Sequence, residues 1–148
     1  MTSTSRGDSL IPAEFPGLRE LARRECCEPC AVEVLPGDVG RRRYLRLTVS
    51  SDSTVLGVFY PREEEDARRR WLAARSALSA AGVRVPRVYA EDGEGSQILE
   101  DFGPEDLAAR LAGRPSERDV WLGRALDVAE KIAAAPDPSV NSPFDARF

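Results

Sequence analysis

The densest run of chemically capable groups in this chain is Gly37-Asp38-Val39-Gly40-Arg41-Arg42-Arg43-Tyr44-Leu45-Arg46. A glycine-bearing turn between two strands lets the backbone approach a phosphate and present N–H groups to it. Arginines at its exit add forked charges that suit phosphate oxygens. The same residues also fit a plainer reading, a hairpin turn followed by a solvated run of arginines, and on residue type alone both stand. A second cluster is Cys26-Cys27-Glu28-Pro29-Cys30, in which Cys27 and Cys30 form a C-x-x-C pair. A structural zinc site usually takes four ligands, and the sequence has no second cysteine pair and no histidine. A redox pair normally sits where a strand runs into a helix, with its first cysteine at the helix N-terminus. Here the pair follows a helix and precedes a strand, so thiols at a cytosolic helix-to-strand turn are expected, and no metal site.

The hydrophobic pattern outlines the elements that would hold these groups. Residues 1–11 read as a flexible polar arm. Pro12-Ala13-Glu14 opens a short amphipathic helix with Phe15, Leu18, Leu21 and Ala22 on its apolar side, closed by Glu28-Pro29. Ala31–Leu35, Arg43–Val49 and Thr54–Tyr60 read as strands joined by turns at 36–40 and 50–53, an antiparallel meander. After Pro61 a helix runs to about Ala81, with Glu63, Glu64, Glu65 and Asp66 where the helix dipole favours acids. Glu64/Arg68, Glu65/Arg69 and Asp66/Arg70 are spaced to pair along it. Ala67, Trp71, Ala74, Leu78 and Ala81 give it a face to bury, and Gly82 caps it. Val85–Ala90 and Ser96–Glu100 follow as strands around the hairpin turn Asp92-Gly93-Glu94-Gly95. Asp101-Phe102-Gly103-Pro104 then breaks the sheet, and only helices come after it, over Glu105–Leu111 and from Ser116 to about Ala134. Ser116 with Asp119 resembles a capping box, and Trp121, Leu122, Ala125, Val128, Ala129 and Ile132 form the second helix's stripe. The tail Ala135–Phe148 has no periodicity.

Composition narrows the function classes. A length of 148 residues suits one domain or one lobe of a larger one, and 42% hydrophobic with 31% charged residues is ordinary for a globular protein. The net charge of −4 leaves no basic excess to neutralise nucleic-acid phosphates. No segment reaches the roughly 18 continuous apolar residues of a membrane span, and residues 1–8 contain no apolar signal core, so a cytoplasmic protein is expected. Lys131 is the only lysine, which removes every other lysine from consideration.

Three blocks together resemble the aminoglycoside-phosphotransferase-like kinase family, in its amino-sugar branch, which includes the N-acetylmuramate/N-acetylglucosamine anomeric kinases. Gly37, Asp38, Arg42, Arg43, Tyr44 and Arg46 match that branch's G-D-A-S-x-R-R-Y-x-R signature, while Val39 and Gly40 depart from its Ala-Ser. Ala80-Ala81-Gly82-Val83-Arg84-Val85-Pro86-Arg87-Val88 is similar to A-x-G-V-x-V-P-x-V, and Ile98-Leu99-Glu100-Asp101-Phe102-Gly103 to L-L-E-D-L/F-G. The resemblance covers about residues 30–112.

The resemblance implies an α+β fold: a protein-kinase-like N-lobe with a five-stranded, mostly antiparallel sheet and one main helix, followed by the first helices of a truncated C-lobe. The N-lobe with its interlobe hinge would span 12–103, and an incomplete helical C-lobe 104–148. It implies ATP with Mg2+ as cofactor. Pro36–Arg43, with Gly37, Asp38, Gly40, Arg42 and Arg43, would cover the phosphates. The segment Leu99–Gly103, with Leu99, Glu100, Asp101 and Phe102, would link the lobes and hydrogen-bond adenine through its backbone. Glu100-Asp101 can also be read as a charged pair capping the next helix. Val58 and Ile98 would line the adenine pocket, with plain core as the default.

Two departures qualify the resemblance. Thr54–Tyr60 lacks the lysine that kinases carry on their third strand, so Arg43 or Arg46 is expected to supply the phosphate-directed charge, braced by Glu64 or Glu65. Phosphoryl transfer also needs an H-x-D-x-x-x-x-N-like loop and a later aspartate for magnesium. After Gly103 there is no histidine, the only asparagine is Asn141, and Asp127, Asp137 and Asp145 have no asparagine placed to complete such a loop. Pro143-Phe144-Asp145 resembles the family's short link before a further helix. The expectation is an ATP-binding N-lobe of a small-molecule, amino-sugar phosphotransferase with a role in cell-wall sugar recycling. It would have no catalytic residues of its own and be inactive alone, and the magnesium and acceptor sites would belong to the missing C-lobe. The alternatives are a non-catalytic pseudokinase-like binding or interaction module, and a complete α+β domain with no ligand.

Overall fold

The computed structural model describes residues 9–25, 27–37 and 40–135. The expectations for most of the arm, for Cys26 and Asp38, and for Asp137, Asn141 and Pro143-Phe144-Asp145 therefore lie outside the described residues. Contacts divide the chain into two compact units, Met1–Glu65 with Pro86–Phe102 and Asp66–Val85 with Gly103–Phe148. The whole is α+β, with a five-stranded antiparallel sheet and four α-helices among the described residues, consistent with a kinase-like N-lobe followed by helices.

The first unit is built on the sheet. Strands β1 (Ala31–Val34), β2 (Arg43–Ser50), β3 (Ser53–Phe59), β4 (Val88–Glu91) and β5 (Ser96–Glu100) lie in the order β1-β2-β3-β5-β4, every neighbouring pair antiparallel. The fourth strand starts later than its sequence suggests, at Val88 instead of Val85. Pro86 has no N–H to give a ladder and keeps the approach irregular.

Helix α1 (Pro16–Arg24) covers one face of this sheet. It also begins later than Pro12-Ala13-Glu14 suggests, because Pro16 takes the first helical position, where a missing N–H costs nothing. Leu18 and Ala22 pack with Ile11, Phe15, Leu45 and Leu47, and Leu21 packs with Ala90 and Ile98. Ile11, expected within the arm, is thus fully buried, and its carbonyl accepts from Arg19 Nε at 2.6 Å. Gly57 lets the helix approach β3: a Cβ there would sit 3.3 Å from Leu18 and 3.4 Å from Leu47. Cys27 packs against both clusters, Cys30 is exposed and donates from Sγ to the Thr48 carbonyl, and neither is in a disulfide.

The second unit is helical. Helix α2 (Glu65–Ala80), preceded by a 3-10 turn (Arg62–Glu64) that belongs to the first unit, ends in a Schellman arrangement. The Val83 N–H donates to the Leu78 carbonyl, the Gly82 N–H donates to the Ser79 carbonyl, and Gly82 takes φ +74°. Its expected apolar face, Ala67, Trp71, Ala74, Leu78 and Ala81, is half-buried, and no residue of α2 is buried outright. Helix α3 (Leu107–Gly113) is capped by Asp106, whose carboxylate accepts from the Ala109 N–H at 2.7 Å.

Helix α4 (Arg118–Ala134) does not use the expected Ser116 capping box. Pro115 starts a 3-10 turn (Pro115–Glu117) that absorbs Ser116, and Glu117 takes the cap position without a side-chain cap bond. The Glu117 carboxylate instead accepts from Trp121 Nε1 at 2.8 Å and pairs with Arg110 at 3.2 Å. The Trp121 bond first, and then Arg110 and Arg114, lower its proton affinity from the usual carboxylate value. Of the apolar stripe read along α4, Leu122, Val128 and Ile132 are exposed. Among the described residues no helix is long and apolar enough to cross a membrane.

Candidate functional site

The glycine turn between β1 and β2 is held from outside by one carboxylate. Glu64, just ahead of α2, accepts from the Arg41 backbone N–H at 2.5 Å, and its other oxygen lies 3.7 Å from Arg42 Nε. Gly40 makes room for it, since a Cβ there would stand 3.2 and 3.3 Å from the two carboxylate oxygens. The Arg42 guanidinium lies 5.9 Å from the centroid of the buried Tyr60 ring, a cation–π arrangement. Burial opposes the charge on Arg42, but Tyr44, Tyr60 and Glu64 outweigh it and raise its proton affinity. Burial likewise raises the Tyr60 phenol above its ordinary 10.0, with Tyr44 adding to the rise and Arg42 opposing it.

Arg43 is placed differently. It is exposed, and its Nη1 donates only to backbone, to the Arg41 carbonyl at 3.5 Å and the Arg42 carbonyl at 3.3 Å. That guanidinium lies against Gly37, where an added Cβ would be 3.7 Å away. Among the described residues it has no carboxylate partner. Among the described residues the turn thus sets an exposed guanidinium without a carboxylate partner beside a glycine.

The expected bracing of Arg43 or Arg46 by Glu64 or Glu65 takes another form. Glu64 serves Arg41 and Arg42, while Arg46 is held by Asp101 and Glu33. Arg46 Nε donates to Asp101 Oδ2 at 2.7 Å, Nη2 donates to Oδ1 at 3.4 Å, and Nη1 donates to Glu33 at 3.4 Å. Thr54 Oγ1 donates to the same Asp101 oxygen at 2.8 Å. The bond to Asp101 is the main cause of a raised proton affinity at Arg46, against the opposing effect of burial. Its neighbour Glu100 accepts from the Arg87 N–H at 3.2 Å. Asp106 is the residue that caps the next helix, so the reading of Glu100-Asp101 as that cap is corrected.

Directly opposite residues of antiparallel strands share a face. Val58 lies opposite Tyr44 and Gln97, and Leu56 opposite Arg46 and Leu99. Val58, Leu99, Arg46 and Asp101 therefore belong to one face of the sheet, the one away from α1. Ile98 lies opposite Gly57 and packs with Leu21 and Ala90, so it cannot line a pocket with Val58. Phe102, next along the chain, is exposed. Sequence reasoning missed Thr54, Tyr60 and Gln97. Gln97 is fully buried on the Val58 face, with Nε2 donating to Glu91 at 3.1 Å and Oε1 lacking a donor among the described residues. Strand alternation would have placed it there, but nothing local marks it as polar and buried.

A cavity of about 260 Å³ in this unit is lined by Glu14, Asp92 and Glu94 together with Arg62, Tyr60 and Ser96, a mixed lining in which acids outnumber the one cation. Among the described residues no group of three or more His, Cys, Asp or Glu side chains could hold a metal ion. The family model for APH, the phosphotransferase enzyme family, matches residues 31–148. Comparison with curated proteins and with solved structures gave no match.

Proposed function

The chain belongs to the phosphotransferase enzyme family, and from that premise we propose that it is the ATP-binding portion of a small-molecule kinase of the amino-sugar branch. The turn at 36–43 would face the nucleotide phosphates, with Gly37, Asp38 and Gly40 admitting close approach. Residues Leu99–Phe102 would meet adenine through their backbone, beside Val58. The observation that carries the reading is Arg43, an exposed guanidinium against a glycine turn with no carboxylate partner among the described residues. A cation already neutralised by an acid has little attraction left for phosphate, which sets Arg43 apart from Arg42 and Arg46.

Binding and orientation are the work assigned to these residues. Magnesium would neutralise charge on the phosphates, but the described residues gather no ligand set for it. The sequence after Gly103 has no histidine and no asparagine placed to complete a catalytic loop. By itself the chain is therefore proposed to bind nucleotide without transferring phosphate. Calorimetric titration of the full chain with ATP tests this. Arg43→Ala should weaken ATP binding by about tenfold or more, the scale of one hydrogen bond to a charged group, and leave adenosine binding unchanged. Equal ATP affinity in both proteins removes Arg43 from the phosphate site. An absence of ATP binding in the unmodified chain would instead favour a non-catalytic interaction module, the reading to which the exposed apolar side chains of α4 point.

A further inference from the structure

We propose that Arg46 and Asp101 are positioning residues that fix the base-reading backbone and so set nucleobase selectivity, and that Arg46 does not hold phosphate. This rests on the ATP-binding reading above and assigns Arg46 a different part in it.

Asp101 is the first residue beyond β5, and its carboxylate is 1% exposed. It takes two donors from Arg46 and one from Thr54, so a single acid ties the exit of β5 to β2 and β3. Arg46, 17% exposed, reaches Glu33 on β1 with its remaining arm. Nε and both terminal nitrogens of the guanidinium are thus each engaged by a carboxylate, so a phosphate would have to compete with two acids for it. On the opposite flank the Glu100 N–H donates to the Arg87 carbonyl at 2.9 Å, and the Glu100 side chain accepts from the Arg87 N–H. The backbone at 100–101 is therefore gripped from both sides by side chains of consecutive residues. Phe102 follows, exposed, and Gly103 after it takes φ +90°.

A buried ion pair contributes little net stability, because desolvation offsets its attraction, but it can enforce one geometry over others. Geometry is what base selection by a backbone needs. Adenine presents an amino donor where guanine presents a carbonyl acceptor, so discrimination depends on a peptide carbonyl and N–H staying in a fixed order. A peptide free to rotate offers either group and reads neither base well. A site built to hydrogen-bond one pattern rejects the other strongly only while its polar groups stay in place.

The test is titration of the full chain with ATP, GTP and inorganic tripolyphosphate, comparing the unmodified protein with Arg46→Lys, Asp101→Asn, Thr54→Val and Arg43→Ala. The unmodified chain should prefer ATP to GTP. Arg46→Lys and Asp101→Asn should narrow that preference by about tenfold, with tripolyphosphate affinity unchanged. Arg43→Ala should do the reverse, weakening tripolyphosphate and keeping the base preference. Thr54→Val removes one hydroxyl and leaves the ion pair. It should narrow the preference by about threefold, and it decides the matter if the ion-pair variants fail to fold. Loss of tripolyphosphate binding in Arg46→Lys would overturn the proposal by making Arg46 a phosphate contact. An unchanged ATP-to-GTP ratio in Thr54→Val and in every folded ion-pair variant would overturn it too, as would an unmodified chain with no base preference. These outcomes leave the ATP-binding reading intact, whereas an unmodified chain that binds none of the three ligands overturns both.

Discussion

Gly93 and Gly95 sit in the same hairpin turn and both have positive φ, +75° and +120°, but their surroundings differ. A Cβ at Gly93 would meet open space, while one at Gly95 would overlap the Tyr60 carbonyl oxygen. Gly93→Ala should therefore cost only the left-handed backbone penalty, about 1–2 kcal/mol. Gly95→Ala should cost clearly more, at least about 2–3 kcal/mol, because strain adds to a backbone collision. Urea denaturation of both variants checks this, and equal midpoints would contradict the close approach at Tyr60. The Tyr60 phenol gives a second residue-scale test. Folded chain binds its proton more tightly than unfolded chain, since burial disfavours the phenolate. Stability should therefore be indifferent to this group below about pH 10 and fall as pH rises beyond it. Tyr60→Phe should flatten that alkaline loss in denaturation midpoints measured on both sides of pH 10. At this scale the glycine turn and its arginines were legible, because glycine and guanidinium have few substitutes for what they do. Tyr60's contact with Arg42, and the division of labour among Arg42, Arg43 and Arg46, were not. They depend on which acid the fold brings near each guanidinium.

Secondary structure follows local pattern where one face of an element meets a core. Strands β2, β3 and β5 lie within a residue of their alternating runs, because a one-residue slip would turn every side chain to the wrong face. Helix α1 has no acid in its first turn and no side-chain cap, so its stability comes from burying Leu18, Leu21 and Ala22. Leu18→Ala should destabilise the chain by about 2–5 kcal/mol, a loss that thermal or urea unfolding will register. A value near zero would mean that α1 does not seal this face of the sheet. Pattern misleads where a tighter local device competes, as at Pro115, whose 3-10 turn displaces the Ser116 cap. It is silent on partners far apart in sequence. Arg46 and Asp101 are 55 residues apart, and only the register of β2, β3 and β5 brings them together.

Family membership and the two compact units set the terms for the molecule as a whole. The first unit has a conventional core, whereas no residue of α2, α3 or α4 is buried. On α4 alone Val120, Leu122, Leu126, Val128 and Ile132 are exposed, Leu126 at 66%. Scattered apolar side chains are normal on any surface, but five exposed on one helix, with Val128 and Ile132 close in angle around it, leave more apolar area in water than a solvated helix usually carries. If these side chains are solvated in solution, replacing them removes no packing. Leu126→Ser combined with Ile132→Ser should then shift unfolding stability by no more than about 0.5 kcal/mol per site. The same change should lower the fluorescence of a hydrophobic dye bound to the native chain and reduce any self-association in analytical ultracentrifugation. The opposite pattern, a loss of about 2 kcal/mol or more with unchanged dye binding, would show that these α4 side chains are covered in solution.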